Sequence, residues 1–220
     1  MKTILITGAS KGIGFQLVKT LAKQNNIIAI SRDVTTLKGL NNVIPMQFDI
    51  TDFEHYAHLI AQINSPVDHV IHNAGLLINK KFETTKLKDL EQQFATNYYA
   101  PYLLTQSLLP LLLPQSHILM ISSMGGVQGS SKFSGLSAYS GSKAGLINLA
   151  ECLAEELKGR QIRVNAIALG AVQTEMLSQA FPDYKTEIKP ETICDFIANI
   201  LLNTEGVMNG KTIQLAVSTP

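Results

Sequence analysis

The chain has few cysteines and almost no net charge. Its 220 residues include two cysteines, Cys152 and Cys194, with no CxxC pair, and its five histidines show no metal-ligand grouping. The formal net charge is +1 and charges of both signs are interspersed, so the chain lacks the footprint of a nucleic-acid or membrane-surface binder. The first residues form a strand pattern rather than a signal peptide. We therefore expect a cytoplasmic protein with a small-molecule partner and no metal.

Long apolar runs are also absent. The most apolar stretch, residues 98–113, is interrupted by Gln106, Ser107 and Pro110 and is shorter than the roughly 20 residues that span a bilayer. This pattern is typical of a buried helix. Hydrophobic residues make up 45% of the chain and no low-complexity tract interrupts them, so residues 1–220 can form one domain with a sizeable core.

What the sequence does contain is an alternation of short strands and longer helices. Runs rich in Ile and Val predict strands at 4–7, 27–30, 43–48, 69–72, 117–121, 164–168 and 212–215. Helical patterns predict helices at 14–24, near 34, and at 53–63, 87–112, 138–158 and 190–202. This order predicts an α/β fold, a doubly wound parallel sheet of the Rossmann type with helices on both faces. In such sheets, ligands bind beyond the carboxyl ends of the strands.

The first strand is followed by TGASKGIG, which contains Gly8, Gly12 and Gly14. Because glycine has no Cβ, such a loop can turn sharply and approach a phosphate, while the helix that follows points free N–H groups at the anion. A glycine triplet alone fits a tight strand-to-helix turn equally well, so other motifs must decide.

Those motifs lie at later strand ends. Residues 73–75 read NAG, residues 121–123 read ISS, and residues 139–143 read YSGSK, with Asn97 between the first two. Together with the glycine loop, and in this order from Thr7 to about Thr174, they resemble the short-chain dehydrogenase/reductase family. The resemblance implies a dinucleotide-binding oxidoreductase that interconverts a carbonyl, an aldehyde or a ketone, and an alcohol by hydride transfer.

The candidate catalytic residues follow from the same motifs. Tyr139 and Lys143 are four residues apart, so they share a helix face where the cation favours the ionised phenol. Together with the positive charge of an oxidised nicotinamide, this ammonium is expected to lower the pKa of Tyr139. Without the other motifs, the pair would fit an exposed helical pair with no function. The resemblance makes Tyr139 the general acid/base, Ser123 the residue that orients the carbonyl oxygen, with Ser122 as the alternative, and Asn97 part of a proton relay from Lys143.

The interval between Ser123 and Tyr139 is longer than the family usually has. The extra residues fall in GSSKFSGLS, a small and polar run that predicts a loop. Such an insertion could reshape the substrate mouth, and it leaves the choice of serine open.

The cofactor depends on the end of the second strand. An acidic residue there would bind the ribose 2′-hydroxyl of NAD, but this chain has Ser31 and Arg32. Lys11 adds a second cation, so NADP(H) is favoured over NAD(H), and Asp33 keeps NAD(H) as the alternative. Asp49 resembles the family residue that contacts the adenine amino group, and its alternative role as a helix cap fits Asp52 better. The full predicted cofactor set is Gly8, Ser10, Lys11, Gly12, Ile13, Gly14, Ser31, Arg32, Asp49, Ile50, Asn73, Ala74, Gly75, Tyr139, Lys143, Gly170, Val172 and Thr174.

The region after the sixth strand is expected to cover the site. Leu169 and Gly170 stand where the family usually has Pro-Gly, and residues 175–190 stand where it places a substrate lid. A helix with Met176, Leu177 and Phe181 on one face could close over an apolar substrate, and a plain surface connection fits equally well. Apolar surface on helices 87–112 and 138–158, which pair across a two-fold axis in the family, predicts a homodimer or homotetramer.

Two other functions compete with the reductase. A catalytically silent dinucleotide-binding sensor would need the glycine loop but not Ser123, Tyr139, Lys143 and Asn97 together. An epimerase or dehydratase of the related larger class also uses YxxxK, but normally has a longer substrate domain than the residues after Thr174 provide. The joint presence of the four candidate catalytic residues favours the oxidoreductase.

Overall fold

Seven parallel strands form one sheet in the order β3-β2-β1-β4-β5-β6-β7. The structure is a computed structural model that describes residues 1–217. The strands are β1 Thr3–Thr7, β2 Asn26–Ser31, β3 Val43–Gln47, β4 Val67–His72, β5 Leu112–Ser123, β6 Arg163–Leu169 and β7 Thr212–Leu215. The helices are α1 Gly12–Leu21, α2 Tyr56–Ala61, α3 Leu87–Phe94, α4 Ala100–Leu108, α5 Ser137–Glu156, α6 Glu175–Ala180 and α7 Pro190–Asn203. The predicted doubly wound Rossmann-type α/β fold is confirmed.

Side chains alternate between the two faces of the sheet, and each face has its own core. Ile4 and Ile6 of β1 pack in one core with residues of α1 and α7, whereas Leu5 packs in the other with residues of α2, α4 and α5. Because both faces of each central strand are covered, these strands need continuous apolar runs. This requirement explains why short Ile- and Val-rich segments predicted the strands well.

The predicted helix at 87–112 is wrong in its extent. The structure breaks it into α3, a π-helical turn over Ala95–Tyr99, and α4, which ends at Leu108. Pro110 comes directly after the C-cap residue Leu109, where it cannot continue a helix. Leu112 instead begins β5, which is longer than the predicted 117–121. An apolar run by itself does not distinguish a helix end from a buried strand.

Within residues 1–217, none of the helices is both long and apolar enough to cross a membrane.

The strand register brings the ends of the central strands to a common edge. Thr7 at the end of β1 pairs with Ile30 of β2, and Ser123 at the end of β5 pairs with Leu169 at the end of β6. The loops after β1, β2, β4, β5 and β6 therefore open on the same side of the sheet, where the predicted site residues lie.

Three buried histidines lie on the central strands. The Nδ1 of His117 donates to the Leu201 carbonyl at 3.1 Å, and its Nε2 accepts from the Asn165 amide at 2.9 Å, an arrangement that suits the neutral ring. The backbone N–H of His117 donates to Nδ1 of His69 at 3.2 Å. His72 contacts the Thr105 hydroxyl at 2.9 Å. Burial lowers the pKa of His69 and His72 to about 4 and that of His117 to about 3.

These histidines should make the fold sensitive to mild acid. The folded protein keeps them neutral while the unfolded chain takes up protons below about pH 6.5, so their contribution to stability is complete above that pH and is lost as the pH falls towards 4. Each histidine should add about 1.4 kcal/mol per pH unit to the loss. Urea unfolding at several pH values between about 7 and 5 measures the slope.

His72→Gln should reduce that slope by about one proton, and the same change at the exposed His58 is the control for replacing a surface histidine. Equal slopes in the wild type and His72→Gln would contradict the assignment.

Candidate active site

The glycine loop after β1 packs tightly against the segment that follows β4. Gly8 has a positive φ of 65°, and a Cβ there would lie 2.7 Å from the Ala74 Cα atom. A Cβ on Gly14 would overlap the Gly8 carbonyl oxygen. At Gly8 and Gly14, therefore, the protein's own backbone atoms leave no room for a side chain. Gly8 and Gly14 are needed to shape the loop before any ligand is considered.

Thr7 and Asn73 hold this loop in place. The Thr7 hydroxyl oxygen accepts from the backbone N–H groups of Asn73 and Ala74 at 3.1 and 3.2 Å. The Asn73 amide donates to the carbonyl oxygens of Thr7 and Gly8 at 3.1 and 3.0 Å. Asn73, predicted as a cofactor contact, thus joins the ends of β1 and β4. Thr7 was missed as a site residue, although it opens the TGASKGIG motif.

Helix α1 offers an N-terminus suited to a diphosphate. It begins at Gly12, no side chain caps it, and its first turn has no acidic residue. The first-turn N–H groups and the positive end of the helix dipole therefore lack a competing anion from these capping positions. The donor set fits the pyrophosphate of a dinucleotide.

At the end of β2, the polar side chains separate into two groups. Ser31 donates to the Ser10 hydroxyl at 2.7 Å, and Thr36, which sequence reasoning missed, donates to the Ser10 carbonyl at 2.8 Å. The Asp33 carboxylate accepts from the Thr35 N–H at 2.8 Å. Hydrogen bonding to Thr35 lowers the pKa of Asp33. Arg32 is exposed and forms no hydrogen bond or ion pair with the described part of the chain. Asp33 is therefore engaged locally, whereas Arg32 is available to a ligand.

Asp49 is exposed and forms local hydrogen bonds that the sequence did not predict. One of its carboxylate oxygens accepts from both the N–H and the hydroxyl of Thr51, at 2.9 and 2.8 Å. Asp52, expected to cap the next helix, instead contacts the His55 ring at 2.8 Å. A carboxylate directly after a strand readily forms such a local turn, which competes with ligand contact. The neighbouring Ile50 is buried, and its carbonyl accepts from the Tyr56 hydroxyl.

Tyr139 and Lys143 lie side by side near the start of α5, with only 9% and 4% of their surfaces exposed. The Lys143 ammonium nitrogen lies 6.0 Å from the centre of the Tyr139 ring and donates to the Ile121 carbonyl at 2.8 Å. The exposed pair considered for this motif does not occur. Two polar side chains are instead buried together at the end of β5.

The structure gives the two candidate serines different partners. The Ser122 hydroxyl is buried and donates to the Lys143 carbonyl at 2.9 Å, which ties β5 to α5. The Ser123 oxygen accepts from the Gly125 N–H at 3.2 Å and its side chain is only half-buried. Burial raises the pKa of Tyr139, and the neighbouring Ser123 hydroxyl acts in the opposite direction. The geometry therefore favours Ser123 as the serine that faces the site.

The expected lowering of the Tyr139 pKa is absent in the protein alone. Burial raises the pKa of Tyr139 to about 12, against the smaller opposing effect of Ser123. Burial also lowers the pKa of Lys143 to about 8. The spacing of Tyr139 and Lys143 in the sequence indicates attraction between the two groups, but it does not show that both are withdrawn from water. Tyr139 is thus protonated at neutral pH, which is the form that can donate a proton.

Asn97 lies in the π-helical turn between α3 and α4, and it is fully buried. Its side-chain oxygen accepts from the Leu76 N–H at 2.8 Å, and its nitrogen donates to the Leu76 carbonyl and the Ser142 hydroxyl, each at 2.9 Å. A Cβ on Gly75 would lie 3.4 Å from the Asn97 oxygen and 3.5 Å from the Lys143 nitrogen. The structure therefore brings Asn97 and Lys143 together at Gly75. Single π turns inside helices are common at functional sites.

The residues after β6 differ in what they touch. Gly170 packs against Ala216, where a Cβ would lie 2.9 Å from the alanine methyl, and Val172 is buried. Thr174 caps α6 by accepting from the Leu177 N–H at 3.3 Å, and its methyl group lies 3.6 Å from where a Gly12 Cβ would be. Of the three, Thr174 is the one seen to adjoin the glycine loop.

Three segments meet at the C-terminal end of α6, the end away from the glycine loop. Asn79 donates to the Ala180 carbonyl at 2.8 Å, and the Lys80 N–H donates to the Gly135 carbonyl at 3.0 Å. The loop between Ser123 and Tyr139, which contains the extra residues, is thereby joined to the segment after β4. That segment is joined in turn to the end of α6. Asn79 was missed, because nothing in its local sequence indicates contacts so distant along the chain. The predicted 175–190 segment contains the short helix α6, with Leu177 and Phe181 half-buried.

Comparison with known proteins agrees with this geometry. The profile of the short chain dehydrogenase family matches residues 2–185. The chain belongs to the short-chain dehydrogenase/reductase family. It is 31% identical to the ketoacyl reductase HetN of a Nostoc strain, over 96% of this chain and 80% of that protein. The family is one of oxidoreductases that act on alcohols and carbonyls.

Solved structures of short-chain dehydrogenases share the fold. A Burkholderia cenocepacia short-chain dehydrogenase in complex with NADP is 21% identical, has a TM-score of 0.87, and aligns over 97% of this chain and 96% of its own. A 4-hydroxyisoleucine dehydrogenase complexed with NADH is 22% identical, also has a TM-score of 0.87, and aligns over 98% and 97%.

The packing of the glycine loop gives a direct test. Gly14→Ala should destabilise this short-chain dehydrogenase by about 3 kcal/mol, because the new methyl group meets rigid backbone. Gly141→Ala, also inside a helix, should stabilise it by about 0.5–1 kcal/mol, because the site is exposed and has room for a Cβ. Urea unfolding measures both changes, and equal effects would contradict the packing argument.

Proposed function

We propose that this protein is an NADP(H)-dependent reductase that interconverts a ketone or aldehyde and an alcohol, with Tyr139 as the general acid/base. The observation that carries the proposal is the buried pair of Tyr139 and Lys143 beside Ser123, at the sheet edge that also holds the glycine loop. A protonated phenol next to a buried amine, with pKa values displaced by burial, is typical of acid/base sites.

The fit of the loops supports a dinucleotide cofactor. The first-turn N–H groups of α1, around Ile13 and Gly14, would hold the pyrophosphate. Lys143 and Tyr139 would hold the nicotinamide ribose, with Val172 and Thr174 on the nicotinamide side. When bound, the reduced nicotinamide supplies the hydride for the carbonyl carbon.

The end of β2 supports NADP(H) rather than NAD(H). Arg32 is exposed and available for a 2′-phosphate, with Ser10, Ser31 and Lys11 adjacent. Asp33, which would favour NAD(H), already accepts hydrogen bonds from Thr35. NAD(H) stays the alternative cofactor.

The protein's own groups then handle the proton. Tyr139 donates its proton to the carbonyl oxygen as negative charge develops there, and the Ser123 hydroxyl donates a hydrogen bond to the same oxygen. The Lys143 ammonium stabilises the phenolate that is left. Asn97, fixed by Leu76 and Ser142, positions a proton path from Lys143 towards solvent.

The substrate class follows from the mouth and from one relative. The relative named a ketoacyl reductase reduces a ketone on an acyl chain, and the segments around the mouth of this protein carry half-buried apolar residues, Leu76, Leu77, Leu177 and Phe181. We propose an apolar ketone, such as a ketoacyl chain, as the substrate. Residues 175–190 would act as its lid.

Replacing the acid tests the chemistry. Tyr139→Phe should lower kcat by about a thousandfold and weaken NADPH binding far less, because it removes the proton donor but only one of the many proposed cofactor contacts. Turnover on a panel of ketones and aldehydes, with nicotinamide fluorescence for binding, measures both quantities, and Tyr184→Phe is the matched control at an exposed tyrosine. Tight binding with no turnover by the wild type on any substrate would favour the silent sensor instead.

Substitutions of the two serines should have different effects on kcat and on stability. Ser123→Ala should lower kcat by about a hundredfold with little loss of stability, because it removes a donor to the carbonyl oxygen. Ser122→Ala should leave kcat near the wild-type value and lower the free energy of unfolding by about 1 kcal/mol, because it removes a buried hydrogen bond. Steady-state kinetics and urea unfolding of both variants test this assignment, and the reverse pattern would exchange the two roles.

We also propose that the protein is a homodimer or homotetramer, through the face formed by α3, the π turn and α4. On this face Leu87, Tyr99 and Tyr102 are 69%, 48% and 43% exposed, and the Tyr98 ring packs against both tyrosines, so the aromatic residues form one patch. Tyr102→Glu should give monomers by light scattering, whereas Tyr184→Glu, at a comparably exposed tyrosine elsewhere, should not. A monomeric wild type would overturn the proposal.

A further inference from the structure

One cation of the proposed phosphate site already has a partner within the protein. The Lys11 ammonium lies 2.8 Å from a carboxylate oxygen of Glu175, the first residue of α6. Arg32, the other cation of that site, has no such partner among residues 1–217. The ion pair therefore distinguishes two side chains that the sequence presents as equivalent.

Glu175 is held firmly in this position. Its second carboxylate oxygen accepts from the Gln179 amide at 3.1 Å, one turn along α6. Thr174, directly before it, caps α6 and adjoins Gly12. A carboxylate in the first turn of a helix is also stabilised by the helix dipole. The carboxylate thus lies at the junction between α6 and the glycine loop.

The Lys11 side chain is long enough to contact either Glu175 or the proposed 2′-phosphate site. Its ammonium is on a flexible four-carbon stem, and both side chains of the pair are more than half exposed. Its neighbour Ser10 bonds to Ser31 and Thr36, on either side of Arg32, so the Lys11 backbone lies beside the proposed 2′-phosphate site. Contact with that phosphate would take Lys11 from Glu175.

We propose that Glu175 is a specificity-determining residue that competes with the cofactor 2′-phosphate for Lys11. This inference rests on the proposed NADP(H) site. Glu175 weakens binding of 2′-phosphorylated ligands and leaves ligands without that phosphate unaffected. Binding of the phosphate in turn releases the first turn of α6 from the glycine loop, which couples the cofactor type to the mobility of the lid.

The probes that isolate this effect are 2′,5′-ADP and 5′-AMP, which differ only in the 2′-phosphate. Glu175→Gln should bind 2′,5′-ADP about three- to fivefold more tightly than the wild type, the range expected for an exposed ion pair, and should bind 5′-AMP unchanged. Glu187→Gln is the matched control, because it removes the same charge from an exposed position in the same segment. Calorimetry measures all the affinities. With Lys11→Met as background, Glu175→Gln should no longer tighten 2′,5′-ADP binding.

A second readout follows the lid itself. Hydrogen exchange of residues 175–181 should accelerate when 2′,5′-ADP binds to the wild type but not when 5′-AMP binds. In Glu175→Gln, this segment should exchange rapidly with either probe. Exchange that slows or stays constant on 2′,5′-ADP binding would overturn the coupling.

The failures of the two proposals are distinguishable. A wild type that binds both probes equally would remove the NADP(H) site itself, and this inference with it. A wild type that prefers 2′,5′-ADP, combined with equal effects of Glu175→Gln and Glu187→Gln or no effect of either, would overturn the role of Glu175 alone.

Discussion

The hydrogen-bonded pair of Thr7 and Asn73 is the interaction on which the site depends. Its hydrogen bonds join the ends of β1 and β4, the central neighbours of the sheet, and they press the glycine loop against Ala74. Because Gly8 and Gly14 leave no space for side chains, the loop has one arrangement. That arrangement sets the direction in which the N-terminus of α1 points. It also sets the position of Gly75 beside Asn97 and Lys143.

Burial is the second constraint, and it shifts the pKa values of Tyr139 and Lys143 in opposite directions. It raises the pKa of Tyr139 to about 12 and lowers that of Lys143 to about 8, so two values that are nearly equal in water move apart. Each group is disfavoured in its charged form, and an added charge nearby therefore has a large effect on both. The contacts of Lys143 with the Ile121 carbonyl and of Ser122 with the Lys143 carbonyl keep α5 against β5 while this occurs.

The same residues show where prediction from the sequence succeeds and fails. The strands were predicted because the sheet is covered on both faces, which requires apolar runs that are visible locally. The helix at 87–112 failed at both its middle and its end, since a π turn at Asn97 and a strand start at Leu112 have no distinct local pattern. Asp49 and Lys11 were identified by position, but their partners Thr51 and Glu175 were not.

The sequence by itself determined the family, the order of the strands and helices, and which residue types stand at the strand ends, because these follow from short motifs and local periodicity. The tertiary structure decided the different hydrogen-bond partners of Ser122 and Ser123, the burial of Tyr139 beside Lys143, and the ion pair between Lys11 and α6. Those properties depend on burial and on contacts between segments more than a hundred residues apart, as for Lys11 with Glu175 and Asn79 with Ala180. Such contacts are set by the folded packing and leave no signal in the neighbouring residues.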